Sequence, residues 1–488
     1  MISFDGEFTM ASNQILDSVK WTTLTTILTK SFVPISNMVL ARLLSPEVFG
    51  IIATVNMVVS FADMFTEAGF QKYLIQHQFD INEKIEEYLN VAFWTNLLLA
   101  IFLFISIALG SEKLAAFVGC TGYENVLVIS ALSLPLTSFS AIQEGYYKKN
   151  FEFKQLFYLN IMGAFIPFFI TIPMAYMGYS YWALVCGNLS KYFLQAVFLT
   201  AKSKWKPHVF FSFSILKKMF HYTIWTLFEK VVIWFSSQAD VFIIGNILAA
   251  YYLGLYRNIQ NTVTSLFIVV QLTIYPVMFS AISIEQNNSE KFEGLVCNFQ
   301  KYIAVFAVPL GIGAMLYKDF AIRILLGDQW LDGSVFFGIW TLAMVINISF
   351  SYICSEVYRA KGVVKLSAIL QILYLIYMIP MYTFAARQSF QLLSITTLSA
   401  VIFMAIEHSF FMKKRLGFCV GKMYKNIAKP FICSGVMGIF SIFMKKIDQG
   451  TIWTCFSILG CVLIYFASLL LFREWREIFA KVVYKIKR

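Results

Sequence analysis

Apolar runs of roughly 20 residues recur along the chain between short charged connectors. This spacing predicts spanning α-helices rather than the half-length, alternating strands of a barrel. About fourteen spans are expected, near 19–43, 48–71, 88–110, 124–146, 156–177, 179–200, 219–245, 252–283, 297–317, 334–358, 364–386, 390–412, 428–447 and 452–472. The longest connectors, near Lys72 to Tyr88, Lys202 to Lys218 and Lys318 to Ser334, hold a short interfacial helix at most. Function is therefore expected within the membrane.

Polar positions inside the spans fall at helical spacing. Thr23, Thr26, Lys30 and Asn37 share one face of the first span, and Asn56, Ser60, Asp63, Glu67 and Gln71 share one face of the second. The seventh span gives Thr226, Glu229, Ser236 and Asp240; the eighth gives Arg257, Gln260, Thr264, Gln271 and Tyr275. A further stripe, Ser133, Thr137, Ser140 and Glu144, runs down the fourth, and Glu356 with Arg359 ends the tenth. Charges at the bilayer centre cost about 2.5–3.5 kcal/mol each on insertion scales, so they normally face protein or a water-filled cavity. Lys30, Asp63, Glu67, Glu229 and Asp240 thus point to a hydrophilic cavity lined mainly by spans one, two, seven and eight. The Ser and Thr residues alone read equally well as glue between packed helices. Lys20, Lys72, Glu144 and Arg359, near span ends, read as interfacial or snorkelling groups. Pro34, inside the first span, is expected to bend it and to free the carbonyl of Lys30.

The chain also repeats itself. A shift of 204 positions lays ARLLSPEVFGII (41–52) on GNILAAYYLGLY (245–256), pairing Leu44 with Leu248, Gly50 with Gly254 and Asn56 with Gln260. The offset covers six spans, so the copies keep one orientation and form a parallel repeat. The expected architecture is all-α and membrane-integral: two pseudo-symmetric six-helix lobes, 1–200 and 201–412, then two C-terminal spans and a basic tail in 413–488. Between the first two spans, Ser45 is placed to cap a helix, Pro46 to occupy its first position and Glu47 to complement its positive end.

Composition agrees. With 59% hydrophobic and 14% charged residues, the chain has more apolar surface than a soluble core could hide. The net charge of +12 falls in connectors and tail. The alternate connectors containing YYKKNFEFK, RAKGVVK and REWREIFAKVVYKIKR hold roughly four times the Lys and Arg of the opposite set, which places both termini in the cytoplasm and implies no nucleic-acid partner. Eight scattered cysteines lack metal-ligand spacing and read as small buried apolar residues. MISFDGEFTMASNQ lacks a basic region and a cleavage pattern, so no removable signal peptide is expected. No H-E-x-x-H, G-x-S-x-G or G-x-x-x-x-G-K-[ST] pattern indicates an enzyme.

The blocks KWTTL, LARLLSPEVFGIIA, FADMFTEAGFQKYLIQ, EYLNVAFW, QEGYYKKNFEFK, SSQADVFIIGNILAAYYLGLYRNIQN, YPVMFSAIS and LLGDQW resemble the polysaccharide transport family of the MOP exporter superfamily. They are most similar to Wzx-type flippases of the colanic-acid and teichuronic-acid exporter subgroup. The resemblance implies a MATE/MOP-like fold in the bacterial cytoplasmic (inner) membrane, and transfer of undecaprenyl-diphosphate-linked oligosaccharide to the outer leaflet by alternating access. It makes the lipid-linked oligosaccharide, membrane lipids and the polysaccharide polymerase and export machinery the candidate partners, as in lipopolysaccharide or O-antigen export. Family members often have arginine and glycine in the second copy of the repeat, where this chain has Asn246 and Ala249.

Such a cargo needs fixed cations for its diphosphate and neutral or aromatic groups for its sugars. Lys30 and Arg257 are the first candidates for the diphosphate, Lys230 and Arg42 the second. Asp63, Glu67, Glu229 and Asp240 are candidates for neutralising those cations or for binding a coupling H+ or Na+; Thr26, Asn37, Asn56, Gln260 and Gln271 are polar cavity candidates. No cofactor is expected. A cation-coupled multidrug exporter is the nearest alternative, and the Lys30 and Arg257 pair argues against it. A membrane polymerase or glycosyltransferase would need a large outward loop or an acidic metal-binding pair after the first span, where this chain has only LLSPE.

Overall fold

The computed structural model describes residues 4–66, 69–79, 84–448 and 450–477, without the side chains of residues 4–16, Tyr222, Trp225, Glu229, Val269 and Val364. Among the described residues every regular element is helical. The chain forms two compact units, Met1–Arg257 and Asn258–Arg488.

The first unit contains α1 (Phe4–Leu43), α2 (Pro46–Thr66), α3 (Phe70–Gln76), α4 (Ile85–Leu109), α5 (Ser111–Val118), α6 (Glu124–Ala131), α7 (Ser133–Lys149), α8 (Phe153–Ile166), α9 (Ile172–Tyr176), α10 (Tyr181–Lys202), α11 (Phe213–Ile247) and the start of α12 (Ala250–Ile284). The second continues α12 and adds α13 (Ser289–Leu316), α14 (Lys318–Leu325), α15 (Ser334–Ile346), α16 (Tyr352–Ala360), α17 (Val364–Gln388), α18 (Phe390–Leu416), α19 (Val420–Ile447) and α20 (Thr451–Leu469). Two π-helical turns join neighbours end to end: Pro167–Thr171 links α8 to α9, and Asn347–Ser351 links α15 to α16.

Eleven helices or joined rods among the described residues are long and apolar enough to cross a membrane, or twelve if the bent pair Ala250–Ile268 and Val270–Ile284 is one span. The expected count of fourteen is therefore not reached. The two expected spans outside that count, near 179–200 and 219–245, are α10 and α11. Both are helices of spanning length, 22 and 35 residues, but Asn188, Lys191 and Gln195 in one and Glu229, Lys230 and Asp240 in the other dilute their hydropathy. The chain is a multi-pass, all-helical membrane protein.

Leu109, Phe169, Ile439 and Leu471 are more than 70% exposed, as lipid-facing side chains are. In lipid the helices gain little from hiding such groups from one another, so close packing and polar contacts must hold the bundle. In the first unit Ile51, Ile52 and Val55 of α2 pack with Ala100 of α4, Leu127 of α6, Leu134 of α7 and Val185 of α10. This core fixes the wall of the polar cavity described below.

The corner between α1 and α2 turns as the sequence suggests, with Pro46 opening α2 and Glu47 in its first turn. Its repeat partner lies directly against it. A Cβ placed on Gly50 would lie 1.8 Å from the Ala250 carbonyl oxygen, and one placed on Gly254 would lie 1.7 Å from the Pro46 carbonyl oxygen. Pro46 and Ala250 are themselves 204 positions apart. The contact therefore repeats each residue's role in its partner, and only glycine allows the two backbones this close.

Candidate functional site: a polar cavity in the first unit

On the side of α2 that carries Ile52, which both joins the core and lines the cavity, Asn56, Ser60 and Asp63 face a cavity of about 300 Å³. Ser133 and Thr137 of α7 and Asn188 and Tyr192 of α10 line it from the other sides. The Thr137 hydroxyl donates to Asp63 Oδ1 at 2.8 Å, and the Thr66 hydroxyl donates to the same oxygen at 3.0 Å. Trp234 of α11 donates its indole N–H to Ser60 Oγ at 3.0 Å and sets its ring edge-on to Phe61, centroids 4.8 Å apart. Asp63 is the only charged side chain among the described residues lining this cavity. The rest of its polar wall consists of hydroxyls and carboxamides, groups that bind sugar hydroxyls without a fixed charge.

A polar seam continues from the cavity between α7 and α10. Gln143 and Thr200 exchange two hydrogen bonds, at 2.9 and 3.0 Å. Gln195 donates to Glu144 Oε2 at 3.3 Å, while Glu144 Oε1 pairs with Lys148 at 2.7 Å. Glu144, read from sequence as interfacial, thus belongs to an interhelical network.

The second unit has its own cavity, about 540 Å³, lined by Gln271, Tyr275 and Pro276 of α12 and by Tyr352, Ser355, Glu356 and Arg359 of α16. The π-turn Asn347–Ser351 shifts the backbone ladder, and side chains meet its carbonyls: Tyr275 Oη donates to Ile348 O and Gln300 Nε2 to Ser349 O, both at 2.9 Å. Arg359 Nη2 bonds buried Glu356 Oε1 at 2.6 Å. Arg359 is a cavity cation rather than a simple snorkelling group.

Among the sequence candidates, Asn56 and Asp63 meet in the first cavity and Gln271 lines the second. Lys30, Thr26, Asn37 and Arg42 line neither. Lys30 and Arg42 are exposed on α1, Asn37 is half-buried, and Thr26 donates its hydroxyl to its own helix at Thr22 O, 2.9 Å away. Asp240 instead ties the α11 to α12 corner together, accepting from Val241 N at 2.8 Å and from buried Tyr256 Oη at 2.9 Å. Lys230, Arg257 and Gln260 are half-buried outside both linings. Glu67 and the side chain of Glu229 lie outside the described residues. Sequence reading missed Asn188 and Tyr192, although Asn188, Tyr192 and Gln195 step by four and three along α10.

Residues 39–335, more than half of the chain, match the family described as polysaccharide biosynthesis protein. The chain belongs to that family. It is 23% identical over 447 residues to the Teichuronic acid biosynthesis protein TuaB of Bacillus subtilis (strain 168), covering 88% of this chain and 89% of that one. It is 21% identical over 322 residues to the Succinoglycan biosynthesis transport protein ExoT of Rhizobium meliloti (strain 1021), covering 66% and 64%. With the Lipopolysaccharide biosynthesis protein WzxC of Escherichia coli (strain K12) the identity is 18% over 324 residues, covering 64% of each. The chain thus spans slightly less than two thirds of the lengths of ExoT and WzxC. Among solved structures, the fold is similar to that of a Lipid II flippase MurJ in an inward closed conformation, with TM-score 0.74 and 14% identity over 94% of this chain and 99% of that one. It is also similar to an inward-facing multidrug resistance MATE family transporter of the MOP superfamily, with TM-score 0.61 and 12% identity over 81% and 98%.

Proposed function

We propose that the protein is a membrane transporter, not a catalyst, and flips undecaprenyl-diphosphate-linked oligosaccharide from the cytoplasmic to the outer leaflet by alternating access for surface polysaccharide biosynthesis. The observation that carries the reading is the cavity around Asp63, where hydroxyls, carboxamides and a tyrosine converge between membrane-spanning helices. A sugar head group exchanges its water shell for such groups with little loss of hydrogen bonding, while its lipid tail stays in the bilayer. The family's description and the names of TuaB, ExoT and WzxC support this cargo.

On this reading the protein resides in the cytoplasmic membrane with both termini in the cytoplasm, as the Lys and Arg bias supports. Lys30 and Arg257, which line neither cavity, are assigned to the diphosphate outside the sugar-binding wall, and H+ or Na+ drives the cycle; the polymerase and export machinery take up the product. Depletion of the protein tests the function. Undecaprenyl-linked units then accumulate on the cytoplasmic face, whereas normal units together with altered drug resistance would assign the protein to multidrug export instead.

A further inference from the structure

Glu407 lies in the α18 span, flanked by Phe403, Ile406 and Phe410, each more than half exposed. Both of its carboxylate oxygens are nevertheless covered, and neither has a hydrogen-bond partner among the described residues. The phenols of Tyr358 on α16 and Tyr377 on α17 lie within its electrostatic reach, and neither is a cation. Both phenols spend their protons elsewhere: Tyr377 Oη donates to Ala400 O and Tyr358 Oη to His408 O, each at 3.3 Å. Buried His408 stacks on Tyr358 with centroids 5.7 Å apart, its Nδ1 3.3 Å from the phenol oxygen.

Among the described residues the elements against α18 supply no counter-ion to Glu407, Lys365 and Arg387 of α17 included. α15 and the π-turn Asn347–Ser351 carry no titratable side chain. From α19, Tyr424 bonds Ser409 Oγ at 2.9 Å, and Lys422 faces Glu293 of α13 at 3.9 Å. On α16, Arg359 is taken by Glu356. An ionised carboxylate held dry and unpaired is strongly disfavoured, whereas the neutral acid is tolerated. An acid that is neutral when enclosed and ionises when water reaches it has the chemistry of a proton carrier.

We infer that Glu407 is a reversible proton-binding site and that its proton is the coupling ion of the transport proposed above. Only the coupling rests on that transport reading. In each cycle the carboxyl O–H breaks, the proton passes to water on one side of the membrane, and the carboxylate takes another from water on the opposite side. No electrons change hands, so no redox partner is involved.

Two measurements on the full-length protein in phosphatidylethanolamine and phosphatidylglycerol liposomes test this. In infrared difference spectra, the wild type shows a protonated-carboxyl stretch at neutral pH that bleaches as pH is raised. Glu407→Gln loses that band and Glu407→Asp shifts it. A wild type without the band, or a band untouched by both substitutions, overturns the site. If Glu407→Gln does not fold, the Asp variant and the wild-type titration decide.

The second measurement follows an undecaprenyl-diphosphate-linked fluorescent sugar under a gradient of about one pH unit, which drives up to about tenfold asymmetry at one proton per cycle. Glu407→Gln equilibrates the probe but loses the asymmetry. A wild type indifferent to the gradient, or a Gln variant that responds like the wild type, overturns the coupling. A wild type that has the band but moves no probe overturns the transport reading and leaves the proton site standing.

Discussion

The crossing of the two repeat corners sets a stringent condition on Gly50 and Gly254. A methyl on Gly50 would meet the Ala250 carbonyl oxygen at 1.8 Å and Gly254 N at 3.0 Å; one on Gly254 would meet the Pro46 carbonyl oxygen at 1.7 Å and Gly50 N at 2.9 Å. Carbon and oxygen settle at about 3.5 Å or more, so each substitution requires the helices to separate by roughly 1.5–2 Å. The opposing atoms are backbone, so no side chain can rotate out of the way. Overpacking ordinarily costs about 1–3 kcal/mol, and this site belongs at or above the upper end. Buried Val48, Ile51, Leu253 and Leu255 flank the contact and would lose their packing with it.

The expected outcome for Gly50→Ala or Gly254→Ala is a fall in Tm of on the order of 5–10 °C, from about 3 kcal/mol at the scaling for domains of this size. Purified protein in detergent, heated and followed by tryptophan fluorescence and size exclusion, gives the measurement. Because either methyl alone opens the same crossing, the double variant should lose little more than either single one. Gly294→Ala is the control: its added methyl meets nothing within 4 Å on α13, so stability should hold or rise by about 0.5–1 kcal/mol. Single variants as stable as the wild type, or a double variant whose loss equals the sum of the singles, would refute the shared close contact.

Three further outcomes are expected. Asp63→Asn should leave stability within about 1 kcal/mol, because the Thr137 and Thr66 hydroxyls also have backbone acceptors at Leu134 O and Asp63 O, yet lower polysaccharide export at least about tenfold at equal protein level. Unchanged export in cells would separate Asp63 from the cargo path. Replacing Lys30 and Arg257 together with glutamine should abolish export at normal protein level, and normal export would reject their contact with the diphosphate. Glu474 carries the pH prediction: hydrogen bonds from Lys429 and Lys301, both at 2.9 Å, hold its carboxyl down at about 2. A carboxyl held below its ordinary value stabilises the fold above about pH 4.3, and that contribution is lost as pH falls toward 2. Glu474 is 54% exposed, so solvent screening keeps the effect small. The Tm difference between wild type and Glu474→Gln should be constant at neutral pH, shrink through that acidic window and be reduced by salt.

The repeat was legible because its signature is steric: two glycines 204 positions apart are the pair that lets two helix corners touch. The α2 stripe was legible because a carboxylate in an apolar helix stands out against its neighbours, and Asp63 meets Thr137 of the separately recognised α7 stripe. The α10 wall was not, since Asn188 and Tyr192 are neutral and sit beside Lys191 and Ser190, which blur the face they share. Asp240 shows the opposite difficulty: its helical spacing gives a face, but only the position of Tyr256 after the turn determines that the carboxylate fixes a corner. Glu407 escaped for a third reason, because a lone acid between Ile406 and His408 forms no stripe and its meaning depends on the absence of a partner among the described residues. Periodicity reports what a single helix can present, whereas the cavity and the dry carboxyl are properties of several helices together. The same polar residues that keep α10 and α11 below the hydropathy of an ordinary span supply the Asn188 and Tyr192 wall and the Asp240 corner. Low hydropathy in a helix of spanning length, flanked by strongly apolar ones, is therefore a sign of one polar face, and it directs the search for cargo contacts to the polar faces of α10 and α11.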